Sequence, residues 1–342
     1  MLSEFDKQLL DEMQQDIPLT GRPFLVAARR LGTDEATVIS GLQRLKQEGY
    51  IRRLGAFFDP AALGFGSTLC AVRVETAHLA AAAGFINRQP GVTHNYEREG
   101  EYGLWFTLQT ENEKARDSFL TELCSLPGTE RVLVLPAVKK YKLRVRLPLS
   151  GGVEMQNGPE PAGEKSKTEA LLKLQPLSGL EKRAVAALGA DLPLTAEPFR
   201  ELAGRTGLSE AELLAALSLL RKRGALRRIG LVLRHRRAGF GANALAVWQV
   251  TEEALDAAGR IMAAEKMVSH CYSRATAVGW PYNLYTMLHG AERRDTEQLA
   301  ARLAGAEGVQ NYQLLWSVKE WKKETRQYFP ELLKDTGTMV KK

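Results

Sequence analysis

An α+β fold made of two similar modules follows from three observations on the sequence. Leu2 to Val74 aligns without a gap on Leu177 to Gln249, shifted by 175 positions (177 minus 2). The first part of each repeat carries helical periodicity punctuated by glycine. The second part alternates strand-like and helix-like stretches. A duplication with so long a unit gives a pair of modules and not a solenoid.

The repeat is legible residue by residue. Asp16-Ile17-Pro18-Leu19-Thr20 returns as Asp191-Leu192-Pro193-Leu194-Thr195, and Pro23-Phe24 returns as Pro198-Phe199. Gly49 returns as Gly224, Arg52-Arg53 as Arg227-Arg228, and Gly64-Phe65-Gly66 as Gly239-Phe240-Gly241. Later stretches match after a one-residue slip, and Val138-Lys139 resembles Val318-Lys319.

Within the first module, Ser3 caps a helix, with Asp6 as a short-armed capping-box partner, and Phe5, Leu9, Leu10 and Met13 make its apolar stripe. Pro23 to Leu31 reads as a second helix closed by Gly32. Thr33 or Asp34 caps a third, with Val38, Ile39, Leu42 and Leu45 inward and Gly49 at its end. Tyr50 to Phe58 then suggests a small hairpin or wing. This order is that of a winged helix-turn-helix.

The next elements are Ser67 to Glu75 (strand), Ala77 to Arg88 (helix), Val92 to Arg98 and Tyr102 to Thr110 (strands), Glu113 to Cys124 (helix) and Glu130 to Lys140 (strand). That is β-α-β-β-α-β, the ferredoxin-like split unit. The second copy repeats it through Ala242 to Val250, Glu252 to Glu265, Met267 to Arg274, Tyr282 to Leu288, Ala291 to Leu303 and Val309 to Val318. The domain division expected is a winged helix-turn-helix at 1–58, a ferredoxin-like unit at 59–147 and a linker at 148–176. The second copy supplies 177–233 and 234–329, followed by a tail at 330–342. The linker is rich in Gly, Pro, Ser, Glu and Lys. It is long enough for the two ferredoxin-like units to pair face to face as an intramolecular pseudo-dimer, with homo-oligomers left open.

Composition bounds the function classes. The chain of 342 residues has ordinary apolar and charged fractions and a net charge of +7. Basic clusters at Arg52-Arg53, Lys139 to Arg146, Arg221 to Arg228 and Arg234 to Arg237 suit nucleic acid, a polyanionic small molecule, or simply a solvated surface. Cys70, Cys124 and Cys271 are scattered without C-x-x-C spacing, so no disulfide framework or thiolate site is implied. The N-terminus is acidic and amphipathic and does not resemble a signal peptide. No apolar run approaches ~20 residues, so no membrane span is expected, and a bacterial or archaeal cytoplasm fits.

The chemistry-bearing residues concentrate in two stretches. Val268 to Gly290 packs His270, Tyr272, Arg274, Trp280, Tyr282, Asn283 and His289 into two segments around a Gly279/Pro281 turn. Strand alternation puts Val268, His270, Tyr272 and Arg274 on one face, opposite Ser269, Cys271 and Ser273. The first copy repeats the pattern with Val92, His94, Tyr96 and Arg98, followed by a strand containing Trp105. It lacks counterparts of Trp280-Pro281 and of His289. An imidazole, a phenol and a guanidinium in a row suit a planar, anionic, metal-containing ligand. The bland alternative is a half-buried sheet face whose polar tips reach water.

A winged helix followed by a ferredoxin-like unit resembles the Lrp/AsnC regulators. The hairpins H-N-Y-E-R…Y-G-L-W-F-T-L and S-H-C-Y-S-R-A-T…G-W-P-Y-N-L-Y-T-M-L-H-G resemble the two subunit types of the sirohaem decarboxylases, here joined in one chain. Gly100 and Gly103 stand where that family has histidine and asparagine, and Ala275 and Ala277 where it has proline and tyrosine.

The resemblance implies a lyase of tetrapyrrole metabolism. It would convert two acetate side chains of sirohaem to methyl groups, giving 12,18-didecarboxysirohaem for haem d1 or haem biosynthesis. No cofactor beyond the substrate's own iron is implied. His270 or His94 becomes the candidate axial ligand of that iron, since neutral imidazole suits it. Arg98, Arg274, Lys139 and Lys319 become candidates for pairing retained carboxylates. His270, His94, Tyr272 and Tyr96 are candidates for protonating the carbon left behind. Trp105, Trp280 and Tyr282 would wall the macrocycle, with Asn283 and His289 beside them. His78 and His235 read as surface residues.

The rival class is a DNA-binding or haem-sensing regulator. A recognition helix presents its N-terminal side chains to base edges. Here those ends read Thr33-Asp34-Glu35 and Leu208-Ser209-Glu210, and their acidity opposes the phosphate field. DNA is therefore not an expected partner.

Overall fold

The computed structural model describes residues 2–143, 175–233 and 242–333. Most of the expected linker and tail, the end of the basic cluster Lys139 to Arg146, the basic cluster Arg234 to Arg237 with His235, and Gly239-Phe240-Gly241 lie outside the described residues. The chain folds as two compact units, divided between Gly64 and Phe65 and again between Arg326 and Gln327. One unit gathers the helical modules of both halves and the other gathers both sheet modules.

In the helical unit, α1 (Glu4–Met13) starts at Ser3, whose hydroxyl accepts from the Asp6 N–H while Asp6 reaches back to the Ser3 N–H. Pro23 opens α2 (Pro23–Leu31), and Gly32 closes it at φ 66°, a conformation that suits a residue without Cβ. Asp34 is the cap of α3 (Glu35–Gln47), accepting from the Thr37 N–H at 2.8 Å. Leu9, Leu10, Val38, Leu42 and Leu45 are fully buried between these helices.

The wing departs from expectation. β1 (Ile51–Phe58) is a single strand, with no hairpin of its own. Its partner comes from the second half: α6 (Gly179–Ala187), α7 (Pro198–Gly204) and α8 (Glu210–Lys222) lead into β6 (Leu226–Leu233), which pairs antiparallel with β1. The exchange is reciprocal. The Ile17 N–H donates to the Ile229 carbonyl at 2.8 Å, and the Leu192 N–H donates to the Leu54 carbonyl at 2.7 Å. Gly230 permits this approach, since a Cβ there would lie 2.8 Å from the Gln15 carbonyl oxygen.

The sheet unit contains β2 (Gly66–Val74), α4 (Leu79–Arg88), β3 (Val92–Arg98), β4 (Leu104–Thr110), α5 (Glu113–Cys124) and β5 (Thr129–Leu143) from the first half. The second half adds β7 (Ala242–Val250), α9 (Leu255–Ala264), β8 (Val268–Arg274), β9 (Leu284–Gly290), α10 (Arg293–Ala304) and β10 (Val309–Lys323). The strands close into a barrel in the order β10-β3-β4-β2-β5-β8-β9-β7.

The two sheets pair through their last strands as well as their faces. β5 pairs with β2 as far as Pro136, then with β8 from Ala137 onward. β10 pairs with β7 as far as Trp316, then with β3 from Ser317 onward. Both strands therefore outrun the expected ends at Lys140 and Val318. Closure removes the open edges that each four-stranded sheet would otherwise leave.

Apolar residues sort onto two faces. Cys70, Val72, Leu104, Phe106 and Leu108 pack outward under α4 and α5, and Trp248, Leu284 and Leu288 pack under α9 and α10. Ala71, Trp105, Leu133, Leu135, Leu245, Val247, Tyr285 and Leu315 face inward and meet across the two halves. One expectation about faces fails. A register shift between Val92 and His94, and its twin between Val268 and His270, breaks the alternation. Val92 and Val268 consequently join the outer cores and do not share a face with the histidines that follow.

Candidate functional site

Cross-strand pairing fixes where the chemistry-bearing side chains lie, because directly opposed residues share a face. Tyr96 stands opposite the inward Trp105, and Tyr272 stands opposite the inward Tyr285. His94 is opposite Thr107 and His270 opposite Met287, on the same inner face. Each half therefore presents a His-Tyr-Arg row to the barrel interior, along β3 and β8. The histidines and tyrosines are half-buried, so they remain within reach of a ligand.

The arginines are anchored alike. Arg98 lies with its Cζ 5.2 Å from the Tyr96 ring centroid, and Arg274 lies 5.2 Å from that of Tyr272. Arg98 Nη1 donates to the Leu315 carbonyl at 3.1 Å, and Arg274 Nη1 to the Leu135 carbonyl at 2.8 Å. Arg98 also donates to Ser317 Oγ at 2.9 Å. Among the described residues neither guanidinium forms an ion pair, and both Nε atoms are buried without a hydrogen-bond partner. Burial drives the Arg98 guanidinium down to about 10 and lowers Arg274 for the same reason. Two desolvated cations without an anion make a site that favours an anionic ligand.

The aromatic residues form the barrel's packed interior. Trp105 and Trp280, one from each half, lie 5.6 Å apart between centroids, with Tyr102 5.2 Å and Tyr282 4.8 Å from Trp280. Trp105 Nε1 donates to the Tyr102 carbonyl at 2.8 Å, and the Tyr285 hydroxyl repeats that bond on the Tyr282 carbonyl at 3.1 Å. Trp280 Nε1 donates to the Tyr285 hydroxyl at 2.8 Å. Trp105, Trp280 and Tyr282, expected to wall a macrocycle, are nearly fully buried and pack as core in this structure.

Other sequence candidates sit elsewhere. Lys139 is opposite the outward Ser273, pairs with Asp256 on α9 and lies over Tyr141. Lys319 is opposite Glu97 and packs on Trp321 with its ammonium 3.5 Å from the ring centroid. Neither reaches the inner face. The next residues do: Lys140 is opposite Tyr272, and Glu320 is opposite Tyr96, whose hydroxyl donates to it at 3.2 Å. Asn283 spends its amide on the Val250 backbone, accepting at 3.0 Å and donating at 2.7 Å, so it holds the end of β7. His289 stays near the site: its Nε2 is 2.6 Å from Ser269 Oγ, which is 2.7 Å from His270 Nδ1. The sequence pattern missed Asn243, Tyr285, Lys140 and Glu320, and it put Ser269 on the face away from His270, whereas the register shift turns its hydroxyl to that imidazole. Only Tyr285 was signalled, by its alternation with Met287.

Comparison with known proteins identifies the modules. An AsnC-like ligand binding domain matches residues 62–142 and 237–322. A "Siroheme decarboxylase NirDL-like HTH domain" matches residues 6–52 and 181–227. The sirohaem decarboxylase of Hydrogenobacter thermophilus is 39% identical over 97% of this chain and 96% of its own. The chain belongs to the sirohaem decarboxylase family.

The crystal structure of the sirohaem decarboxylase NirDL in co-complex with an iron-uroporphyrin III analogue superposes with a TM-score of 0.72. It is 34% identical, with 96% of each chain covered. The sirohaem decarboxylase alpha subunit of Desulfovibrio desulfuricans is 42% identical over 42% of this chain and 83% of its own. Related sirohaem decarboxylases thus exist as separate subunits, and this member carries both kinds of module in one chain. Its helices, as far as described, include none long and apolar enough to cross a membrane. Cys70 and Cys271 are free thiols that burial pushes up to about 12, which leaves them inert.

Proposed function

We propose that the chain removes two acetate carboxyl groups from sirohaem on the inner face of its barrel, leaving methyl groups and forming 12,18-didecarboxysirohaem. The observation that carries this is the pair of His-Tyr-Arg rows, each with a buried guanidinium that has no carboxylate partner among the described residues. Arg98 and Arg274 would each take a retained carboxylate of the macrocycle and so fix its register. Lys140 adds positive charge opposite Tyr272.

His94 or His270 supplies imidazole to the substrate iron, which belongs to the substrate and is not a resident cofactor. The reaction needs one proton for each carboxyl lost. Carbon dioxide leaves, the bonding pair remains on the methylene carbon, and a proton from His270, His94, Tyr272 or Tyr96 completes the methyl group. Tyr96 is tied to Glu320, whereas Tyr272 faces Lys140, so the two rows differ in charge. The test is anaerobic incubation of the purified chain with sirohaem, followed by mass spectrometry of the tetrapyrrole. Loss of two carbon dioxide masses is expected. Unchanged sirohaem that is nevertheless bound, with its spectrum shifted, would instead indicate a haem-sensing protein.

A further inference from the structure

The two rows differ behind their histidines. In the second half four side chains connect in series. Asn243 Oδ1 lies 2.6 Å from His289 Nδ1, His289 Nε2 lies 2.6 Å from Ser269 Oγ, and Ser269 Oγ lies 2.7 Å from His270 Nδ1. In the first half His94 Nδ1 likewise meets a hydroxyl, Thr93 Oγ1 at 2.9 Å. There the series changes character. Strand register equates His289, paired with Asn243, with Gln109, paired with Ser67. An amide does not take up and release a proton near neutral pH, and an imidazole does.

We propose that His289 and Ser269 form a proton relay that recharges His270, so that the second half is the proton-donating half of the site. The inference rests on the decarboxylase reading above and, of its two candidate iron ligands, takes His94, because His270 Nδ1 is held by Ser269 and its Nε2 gives the proton.

The hydrogen bonds define the relay. The Asn243 carbonyl oxygen accepts from His289 Nδ1–H, which leaves Nε2 as the exchanging atom. As His270 gives its Nε2 proton to the methylene carbon, its Nδ1 takes the Ser269 Oγ proton and Ser269 takes the Nε2 proton of a protonated His289. His270 thus stays neutral as the Nδ1–H tautomer, His289 returns to neutral, and a half-turn of the His270 ring presents the new proton for the second acetate. The balance for each acetate is R–CH2–CO2⁻ + H⁺ → R–CH3 + CO2, with no change of oxidation state at the iron. Replenishment comes from water. His289 lines a surface cleft of about 570 Å³ with Met267, Asp295, Gln298, Leu299 and Arg302. The cleft thus brings solvent to the far end of the relay, at the end of β9. His289 does not contact the reacting carbon in this scheme, so it is a positioning and relay residue.

The experiment is single-turnover decarboxylation of sirohaem by the full chain, with substrate affinity followed by absorption. His289→Gln copies the first half, and Ser269→Ala cuts the relay. Both are expected to slow loss of the carboxyl groups by at least ~10-fold, a fraction of a general acid's usual contribution, with unchanged substrate Kd. Ser269→Thr keeps the hydroxyl and should run near the wild-type rate. In His289→Ala, imidazole added to the solution should restore a substantial part of the rate through the cleft. Wild-type rates in both His289→Gln and Ser269→Ala would overturn the relay alone, as would a loss that follows Kd and ignores imidazole. A wild-type chain that does not decarboxylate sirohaem would overturn the underlying reading as well.

Discussion

Arg98 donates from Nη1 to the backbone carbonyl of Leu315, 217 positions away in sequence, at 3.1 Å. The bond ties the first half's His-Tyr-Arg row to the second half's last strand, and Arg274 with Leu135 makes the reciprocal tie. Each half thus orients the other's guanidinium. Arg98→Met should weaken sirohaem binding by roughly 2–5 kcal/mol, the usual effect of removing one partner of a buried charge pair. The free protein should melt no earlier, and even later, because a buried cation without an anion is relieved. Absorption titration and thermal melting check the two halves of this prediction. An unchanged Kd would remove Arg98 from the binding site.

Trp280 joins both halves of the interior, touching Trp105 and Tyr102 from the first and Tyr282 and Tyr285 from its own. Trp280→Ala should cost about 3–5 kcal/mol of stability through the cavity it leaves. Trp280→Phe keeps the ring contacts and loses the bond to Tyr285, which costs about 1 kcal/mol. Urea unfolding of the two variants separates packing from hydrogen bonding. Equal midpoints would show that the ring's volume does not hold the barrel together.

The sequence revealed the architecture because a gapless 175-position repeat and two kinds of periodicity agreed with each other. Long-range exchange was not legible. Lys139 to Leu143 and Val318 to Lys323 are polar, and they become strand only because β8 and β3 of the other half supply the hydrogen bonds. The same concealment misplaced Lys139 and Lys319 by one residue, and so onto the opposite face. The extra residue at Thr93 and Ser269 leaves no mark in a count of alternation, although it is what turns Ser269 toward two imidazoles. Asn283 looked like a ligand group, and only the structure shows that the Val250 backbone uses it.

Gly259 on α9 has its place because β5 crosses over. A Cβ there would stand 2.5 Å from Cζ of Tyr141, on the crossed part of that strand. Alanine gains up to ~1 kcal/mol of helix propensity, against about 1–3 kcal/mol for overpacking. Gly259→Ala should therefore destabilise the protein on balance. In a Tyr141→Ala background the same change should become stabilising, since the ring is gone. A double-mutant cycle by chemical denaturation measures the coupling, and additive effects would show that the ring yields without cost.

The helix-turn-helix modules should bind DNA without sequence preference, if at all. Asp34 caps α3, and Glu35 is buried against Arg22. Glu212 is committed to the Ser209 capping box at the start of α8. These carboxylates stand where base-contacting cations would be needed. Binding measured across a salt series should disappear near physiological ionic strength. Salt-resistant, sequence-dependent binding near 10⁻⁸ M would show a retained regulator.

The two histidines should be unequal in the reaction. His270 has a hydroxyl and then a second imidazole behind it, whereas His94 has the Thr93 hydroxyl and Gln109 at the position of that imidazole. His270→Ala should slow single-turnover decarboxylation by at least ~10²-fold, the low end for a general acid. His94→Ala should act mainly on the iron spectrum or on affinity, because the position that holds the second imidazole behind His270 holds the amide of Gln109 behind His94. The decisive measurement runs both variants beside absorption spectra of bound sirohaem. Full activity with an unchanged Soret band in His270→Ala would mean that this imidazole is neither acid nor ligand. The proton would then have to come from Tyr272, Tyr96 or His94, and the first half would become the reactive side.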